Sequence, residues 1–184
     1  MLLNKEKTSV VIFNMQMELI PMLKNGSQLL NDCRWLADMC SDLQLPTTLV
    51  EHKKLGKLSE SLKNLAQKAK IIEKTHFDFL KEPILISEIE KNNREQYVLA
   101  GAETHVCLLQ SALHLNAIGK QVFVLADTCS SRSKIDHKVA LDRLQLHGIH
   151  LITREMFFFE LIRHSEYPGY LDLAMKYLDG RYIR

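Results

Sequence analysis

Short apolar runs alternate along the chain with segments in which apolar residues recur every three or four positions. The runs Ser9–Phe13 and Gln96–Ala100 are short and apolar, which is typical of buried strands. Apolar and cysteine residues from Leu29 to Leu43 step by four, three, four and three, which places them on one helix face. The remaining predicted strands are Thr47–Glu51, Ile71–Lys74, Gln121–Ala126 and Ile149–Ile152.

Helices are predicted in most of the intervening segments. One begins at Thr104 and runs to about Ile118, where Gly119 is a suitable C-terminal stop. The other predicted helices are Lys134–His147, Arg154–Arg163 with Thr153 as its cap, and a terminal one at Tyr170–Leu178. Two segments are predicted to be less regular: Leu55–Lys70, a loop with one or two helical turns, and Pro83–Glu90, a loop entering a short helix.

This alternation of strands and helices predicts the fold class. Nearly continuous apolar strands favour a mostly parallel, six-stranded sheet covered by helices on both faces. Because no repeat or linker divides the chain, we expect a single doubly wound, Rossmann-like α/β domain over residues 1–184. Ligands of such sheets bind beyond the carboxyl ends of the strands. The residues there are Asn14, Glu51–His52, Lys74, Gly101–Cys107 and Asp127–Arg132.

Composition limits the range of partners. The chain has 184 residues, 46% of them hydrophobic and 25% charged, which is ordinary for a globular protein. Twenty-four basic residues against 22 acidic ones give a formal charge of only +2. Binding to a phosphate backbone requires a concentrated basic surface, so we expect a small-molecule substrate rather than nucleic acid.

The termini and apolar runs give no sign of a membrane segment. No run approaches the ~18 consecutive apolar residues that a membrane span needs. The segment Met1–Lys7 is charged before any long apolar run, so no signal peptide is visible. We therefore expect a cytoplasmic protein with no membrane association. In such a reducing compartment, cysteines that form no CxxC pair are expected to be free thiols.

The four cysteines are Cys33, Cys40, Cys107 and Cys129. Cys33 and Cys40 lie on the apolar face of the first helix, ~10.5 Å apart along its axis. This exceeds the ~7 Å limit for a disulfide between two Cα atoms, so both are predicted to be core residues. Cys129 follows a predicted strand and is a candidate resolving thiol for Cys107.

Cys107 has the most favourable position for chemistry. With Thr104 as the predicted N-cap, Cys107 is the third residue of a helix that follows a strand ending at Gly101. The positive end of the helix dipole and its free N–H groups favour a thiolate and can stabilise an oxyanion. The alternative is a small buried residue that packs the helix onto the sheet.

Two other strand ends carry candidate groups. Lys74 ends the predicted strand Ile71–Lys74, and an ammonium close to Cys107 would stabilise its thiolate, although a lone lysine is more often a surface residue. Asn14 ends the first strand. A carboxylate there would accept a thiol proton, but an amide cannot, and Asn14 alone fits a simple turn residue.

The segment Asp127–Arg132 has two interpretations. Arg132 would suit an anionic substrate group because its guanidinium can form a bidentate fork. Asp and Ser are ordinary turn residues, however. We therefore favour a local network in which Asp127 fixes the serines and Arg132 pairs nearby.

Four segments together resemble the isochorismatase-like cysteine hydrolases, and in particular the isochorismatase domain-containing proteins. They are Val11–Gln16, Glu73–Phe77, Gly101–Cys107 and Asp127–Ser133. The resemblance extends from about Thr8 to about Leu178. It implies an isochorismatase-like hydrolase fold and, because members commonly assemble through their helices, a homo-oligomer.

The resemblance also implies roles for individual residues. The family triad is aspartate, lysine and cysteine, which places Cys107 as nucleophile and Lys74 as thiolate stabiliser. Asn14 stands where the family has its aspartate. Without a carboxylate, the proton for an amine leaving group would come from water, Lys74 or His105. The change is compatible with a nearly inactive enzyme, an altered chemistry or an engineered substitution.

Further expectations concern the surroundings of the nucleophile. The resemblance implies an oxyanion hole formed by the backbone N–H groups of Glu103 and Cys107, and a cis peptide bond between Ala102 and Glu103. Phe77 and His105 are expected to line the substrate pocket. The nicotinamidases of the superfamily bind a metal through an Asp-x-His segment, which Glu51–Lys54 does not match. No metal or cofactor is therefore expected.

The expected function is hydrolysis of a small amide, imide or related C–N or ester substrate by a Cys107 thiolate. Two alternatives remain open at this point. One is a catalytically impaired homologue that binds a ligand or acts as a scaffold. The other is a thiol-redox protein that uses Cys107 and Cys129.

Overall fold

The computed structural model describes residues 1–178. Its strands are β1 (Thr8–Phe13), β2 (Thr47–His52), β3 (Lys70–Lys74), β4 (Gln96–Ala102), β5 (Gln121–Ser130) and β6 (His150–Ile152). Its helices are α1 (Gly26–Asp42), α2 (Glu60–Leu65), α3 (Pro83–Asn92), α4 (Leu109–Ala117), α5 (Lys134–Leu146), α6 (Arg154–Ile162) and α7 (Tyr170–Tyr177). Three short helical turns complete the set: Ile20–Met22, Phe79–Lys81 and Thr104–Leu108.

The six strands form one parallel sheet in the order β3-β2-β1-β4-β5-β6. This confirms the predicted six-stranded, doubly wound α/β fold. The strand order reverses between β1 and β4. A ligand of such a sheet binds in the crevice beyond the carboxyl ends of these two strands.

Helices cover both faces of the sheet, and β1 shows how its side chains are shared between them. Val10 and Ile12 pack into the apolar cluster that α1, α6 and α7 cover. Val11 and Phe13 point to the opposite face and pack into the cluster beneath α3, α4 and α5. Both clusters are buried, which explains why β1 is apolar at successive positions instead of alternating with polar ones.

The strand that leads to Cys107, β4, and its neighbour β5 are both longer than predicted. After an irregularity between Leu99 and Gly101, β4 resumes its pairing with β5, so that Gly101 lies opposite Cys129. The glycine therefore marks a register shift inside the sheet, where the sequence had indicated the end of a strand. The prediction that Cys129 follows the strand was wrong, because this residue lies within β5.

The helical segment begins at Thr104 as predicted, but Thr104 is not its N-cap and its first turn is not α-helical. Thr104–Leu108 form a single π turn whose N-cap residue is Glu103, and the regular helix α4 begins only at Leu109. The Leu108 N–H donates to the Glu103 carbonyl five residues earlier. The Thr104 hydroxyl does not cap the helix, because it contacts His137 Nδ1 at 2.9 Å. Cys107 is thus the fourth residue of a π turn.

The remaining helix predictions hold with shifted bounds. The loop predicted before α3 is absent from the described structure: α3 begins at Pro83, a residue that suits the first helical turn because it has no N–H. The Thr153 hydroxyl accepts from the Met156 N–H and caps α6 as predicted. Within residues 1–178, no helix combines the length and the apolar character needed to cross a membrane.

Candidate active site

The carboxyl ends of β1, β3 and β4 bring together the three residues expected to form the triad. Lys74 is the last residue of β3, and its Nζ lies 3.1 Å from Cys107 Sγ. Asn14 follows β1 and donates from Nδ2 to the Ala102 carbonyl oxygen at 2.8 Å, at the end of β4. All three side chains are buried: Asn14 and Lys74 are 1% exposed and Cys107 is 4% exposed.

Lys74 lies in an unusual environment for an ammonium group. Its Nζ donates to Cys107 Sγ and, at 2.9 Å, to the His76 carbonyl oxygen. Among the described residues, no carboxylate lies within 4.0 Å of this ammonium. A buried charge is costly unless an opposite charge compensates it. The Cys107 sulfur is the contacting atom that can carry such a charge.

Cys107 owes its position to the π turn. Turns of this kind are rare and occur frequently at functional sites. The thiol packs into the apolar cluster beneath α3, α4 and α5, while the turn directs its sulfur to Lys74. At the start of a helical segment, backbone N–H groups lack partners further back in the helix, so they are available to a developing negative charge.

Asn14 has a left-handed backbone, with φ of 52°, which asparagine tolerates better than most residues. Its Nδ2 is committed to the Ala102 carbonyl. Its Oδ1 is buried and has no hydrogen-bond partner in the part of the chain that the structure describes. Buried polar atoms usually have a partner, so this oxygen can accept from a bound substrate or water. As an amide, Asn14 cannot take up a proton at neutral pH.

Gly101 allows β4 to approach β1 at this point. Its φ is +99°, and a Cβ built on it would lie 2.2 Å from the Phe13 carbonyl oxygen. No other residue fits without a shift of the β1 backbone. Since Ala102 directly follows, this close approach also places its carbonyl within reach of Asn14.

The peptide bond between Ala102 and Glu103 is cis, as the family resemblance implied. Glu103 Oε2 accepts from both the backbone N–H and the Nε of Arg132, each at 3.0 Å. Arg132 therefore pairs with a nearby residue, Glu103, as predicted.

The expected role of Asp127 was wrong. Its carboxylate accepts from the backbone N–H and the Nε of Arg154 at the start of α6, rather than from the serines. Asp127 lies within β5 beside β6, and α6 begins two residues after β6 ends, which brings the start of this helix to the carboxylate.

The loop after β3 is held by Glu82, a residue that the sequence analysis did not single out. One oxygen of Glu82 accepts from the Thr75 N–H at 2.7 Å, the His76 N–H at 3.1 Å and His76 Nδ1 at 2.9 Å. The Thr75 amide and the other donors hold the pKa of Glu82 at about 2. Glu82 thereby fixes the loop whose His76 carbonyl contacts Lys74.

Gln16 is a second positioning residue that the sequence analysis missed. It is fully buried, donates from Nε2 to the carbonyl oxygens of His52 and Gly56 at 2.8 and 2.6 Å, and accepts from the His52 N–H at 2.7 Å. These bonds tie the end of β2 to the segment after β1. The sequence signals were its place two residues after Asn14 and its place in Val11–Gln16, a segment that carries the family resemblance.

Phe77 and His105, the two residues expected to line the substrate pocket, contact different segments of the chain. Phe77 is 54% exposed, and its ring stacks on His52 with centroids 5.9 Å apart. Burial lowers the pKa of His52, and the charge of Lys74 lowers it further. His105 Nδ1 is 2.9 Å from the Ser131 hydroxyl oxygen, which ties this ring to the segment after β5. Their role in substrate binding remains a prediction.

The other three cysteines are buried thiols with raised pKa values. Cys33 and Cys40 are buried core residues of α1, as predicted, and all four cysteines are free thiols. Burial raises the pKa of Cys40 to about 12, and that of Cys129 also to about 12. The pKa of Cys33 is raised by the same cause. These thiols are therefore protonated at neutral pH.

The structure offers no obvious metal site in the part it describes. Within residues 1–178, no three His, Cys, Asp or Glu side chains are grouped so that they could hold a metal ion. His52 and His76, which both follow strands, have separate partners: His52 contacts the Thr75 carbonyl and Phe77, and His76 contacts Glu82.

The model of the isochorismatase domain family matches residues 8–156. The chain belongs to the isochorismatase family. Isochorismatase domain-containing protein 2B from Mus musculus is 31% identical over 170 residues, which cover 91% of this chain and 80% of that protein. This confirms the resemblance inferred from the four segments, and with it membership of a family of isochorismatase-like hydrolases.

Solved structures agree with the family assignment. MAR1 ribonuclease from Caenorhabditis elegans superimposes with a TM-score of 0.91 at 26% identity, covering 97% of this chain and 93% of that one. The YcaC gene product of Escherichia coli, described as an octameric hydrolase of unknown specificity, has a TM-score of 0.89 at 23% identity, covering 96% and 91%. The isochorismatase-like fold is thereby confirmed.

Proposed function

We propose that this isochorismatase-family protein is a cysteine hydrolase acting on a small amide, imide or related C–N or ester substrate. The observation that carries the proposal is the 3.1 Å contact between Lys74 Nζ and Cys107 Sγ in a buried site. A positive charge at this distance favours the thiolate, which is the nucleophilic form of cysteine. The strand order supports the proposal, because the site lies at the switch point of the sheet.

The proposed reaction follows from the position of these groups. The Cys107 thiolate attacks the carbonyl carbon, and an acyl thioester forms as the leaving group departs. The backbone N–H groups of Glu103 and Cys107 stabilise the oxyanion of the tetrahedral intermediate. The unpartnered Asn14 Oδ1 accepts a hydrogen bond from the substrate or from the water that attacks the thioester. Hydrolysis of the thioester restores Cys107.

A turnover assay tests this function. The wild-type protein is incubated with a panel of small amides, imides and activated esters, and release of the acid is measured. Cys107→Ser is expected to lose all release, whereas Cys129→Ser, a change at a buried thiol of the neighbouring strand, keeps it. Equal rates in wild type and Cys107→Ser would contradict the proposal.

The absence of a carboxylate at Asn14 favours a second candidate, a non-catalytic homologue that retains its ligand site. This candidate predicts that a small molecule binds equally well to wild type and to Cys107→Ser, with no product from either. Calorimetric titration of both forms with the compounds of the panel separates it from the hydrolase. Turnover by the wild type excludes it.

The thiol-redox alternative finds less support. A resolving cysteine must attack as a thiolate, but burial raises the pKa of Cys129 to about 12, and its Sγ–H is directed at the Ala126 carbonyl oxygen at 3.7 Å. Counting thiols after mild peroxide tests this alternative. Retention of four free thiols removes it, and a Cys107–Cys129 disulfide would establish it.

We propose the partners of the protein from its net charge and from its structural relatives. One structural relative is named a ribonuclease, but the formal charge of +2 gives this chain little attraction for RNA, so we propose a small-molecule substrate. Incubation with a labelled RNA oligonucleotide tests that choice.

The octameric relative from Escherichia coli supports the proposal of a homo-oligomer, and light scattering measures the oligomeric state directly. A cytoplasmic location without membrane association remains a prediction.

A further inference from the structure

In the described part of the chain, one titratable side chain is in hydrogen-bond contact with the nucleophilic sulfur. Asn14 is an amide whose Nδ2 is already bound to Ala102, and His105 Nδ1 contacts the Ser131 hydroxyl. Lys74 is the titratable side chain that the structure places in hydrogen-bond contact with the Cys107 sulfur. An ammonium has three N–H donors. Two of these reach Cys107 and the His76 carbonyl, which leaves the third for a substrate.

The charge balance of the site changes when the thioester forms. Before the reaction, the buried ammonium is compensated by the Cys107 thiolate. Acylation makes the sulfur neutral, so Lys74 then keeps only the His76 carbonyl as its partner, with no carboxylate within 4.0 Å in the described part of the chain. An uncompensated buried ammonium is strongly disfavoured. Lys74 is therefore driven to release a proton at the stage when the leaving group needs one.

We propose that Cys107 and Lys74 form a catalytic dyad in which Lys74 carries the proton through both halves of the reaction. The inference rests on the proposed hydrolase function and adds to it the acid and base. It assigns to a lysine the proton transfer that Asn14 cannot perform.

In each half of the proposed reaction, Lys74 transfers one proton. The thiolate attacks the carbonyl carbon and forms the S–C bond, the C–N or C–O bond breaks with its electron pair on the leaving atom, and Lys74 Nζ donates a proton to that atom. The neutral amine of Lys74 then takes a proton from water as the water oxygen attacks the thioester carbon. The C–S bond breaks with its pair on sulfur, which restores the ammonium and the thiolate.

Lys74 has two proposed roles: its positive charge stabilises the thiolate, and its Nζ transfers a proton. Leaving groups of different basicity separate these two roles. A p-nitrophenyl ester releases nitrophenolate without protonation, whereas the matching alkyl amide requires a proton on nitrogen. Arginine retains a positive charge but does not transfer a proton at neutral pH. Lys74→Arg is therefore expected to keep a nitrophenolate burst of about one per subunit. Its steady-state rate should fall ~10²–10⁴-fold, and amide cleavage should be lost.

Two further variants accompany Lys74→Arg: Lys70→Arg as a control, and Lys74→Ala as a second test of the same position. Lys70→Arg changes the lysine at the other end of β3, which is exposed and paired with Glu88, and should behave as wild type. If Lys74→Arg loses the burst as well, Lys74→Ala is assayed with added methylamine and weaker alkyl amines. Release of free acid that increases with the basicity of the added amine supports proton transfer at this position.

The outcomes distinguish the two proposals. Steady-state turnover by Lys74→Arg close to that of wild type would overturn the dyad while leaving the hydrolase function intact. A wild-type burst with no turnover, or no rescue of Lys74→Ala by any amine, would overturn it too. If the wild type gives neither a burst nor turnover with any substrate, the hydrolase function itself fails.

Discussion

At the scale of single residues, the chemistry of the site depends on the amide at Asn14. Its Oδ1 lacks a partner in the described structure, and its Nδ2 is used to hold the end of β4. The sequence was sufficient to locate this residue and to recognise that it departs from the family triad. It was not sufficient to show that Lys74 has no carboxylate partner within residues 1–178, because that depends on which side chains surround it in space.

Asn14→Asp is expected to increase amide turnover. A carboxylate at this position can hold a proton and donate it to the leaving group, and general acid–base catalysis typically contributes ~10²–10⁴-fold. Because the substitution also removes the hydrogen bond from Nδ2 to Ala102, we expect a net gain of only ~10–100-fold. Steady-state kinetics on the amide panel measure it, and an unchanged rate on every substrate would contradict the expectation.

Cys107 is expected to be alkylated before the other three cysteines. The pKa values of Cys40 and Cys129 are raised to about 12 and that of Cys33 is also raised, so these thiols remain protonated at pH 8. Brief treatment with iodoacetamide followed by peptide mapping measures the order of labelling. Labelling of Cys129 as rapidly as Cys107 would show that the Lys74 contact does not activate the nucleophile.

At the scale of elements, the strand ends and the loops after them carry the site. Lys74 and Cys107 could be proposed as neighbours because each follows a parallel strand, and such strands end at the same edge of a sheet. The roles of Gln16 and Glu82 were not predictable, since both side chains bind backbone groups of loops whose paths the sequence pattern does not encode. The π turn was missed because the N-cap pattern at Thr104 does not distinguish it from an α-helix.

Glu82→Gln tests the loop that positions Lys74. The folded-state pKa of Glu82, about 2, lies below the ordinary value of ~4.3. Its carboxylate therefore stabilises the folded protein above pH ~4.3, and this contribution is lost as the pH falls towards about 2. Urea unfolding should show wild type more stable than Glu82→Gln at pH 7, with the difference disappearing at low pH.

A matched control for this loop is Glu88→Gln. Glu88 is a carboxylate of α3 that pairs with Lys70 and does not contact the loop after β3. Its substitution should change stability little, since ion pairs at the protein surface contribute little to stability. A difference between wild type and Glu82→Gln that is independent of pH would contradict the assigned role of the Glu82 carboxylate.

Gly101→Ala tests the close approach of β4 and β1. A methyl group there would lie 2.2 Å from the Phe13 carbonyl oxygen. Gly119→Ala is the control, because Gly119 also has a positive φ, +83°, but open space where a Cβ would be. We expect a cost of ~1–2 kcal/mol for Gly119→Ala, with a further ~1–3 kcal/mol for Gly101→Ala. Equal urea midpoints would contradict this account.

At the scale of the whole molecule, the fold was the most predictable property. Alternating strands and helices, with apolar residues at successive strand positions, were sufficient to predict a parallel sheet covered on both faces. The order of the strands was not encoded in this pattern, because it depends on which helices pack together. That order places the crevice between β1 and β4: Asn14 follows β1, and Cys107, which follows β4, contacts Lys74.

The central claim is that Cys107 forms a thioester with a small acyl substrate. Acid quenching during turnover of a p-nitrophenyl ester, followed by mass spectrometry of the intact protein and its peptides, measures this directly. The account predicts one acyl group on the peptide that contains Cys107, removed by hydroxylamine and absent from Cys107→Ser. An unmodified wild-type protein, or an acyl group carried by another residue, would contradict it.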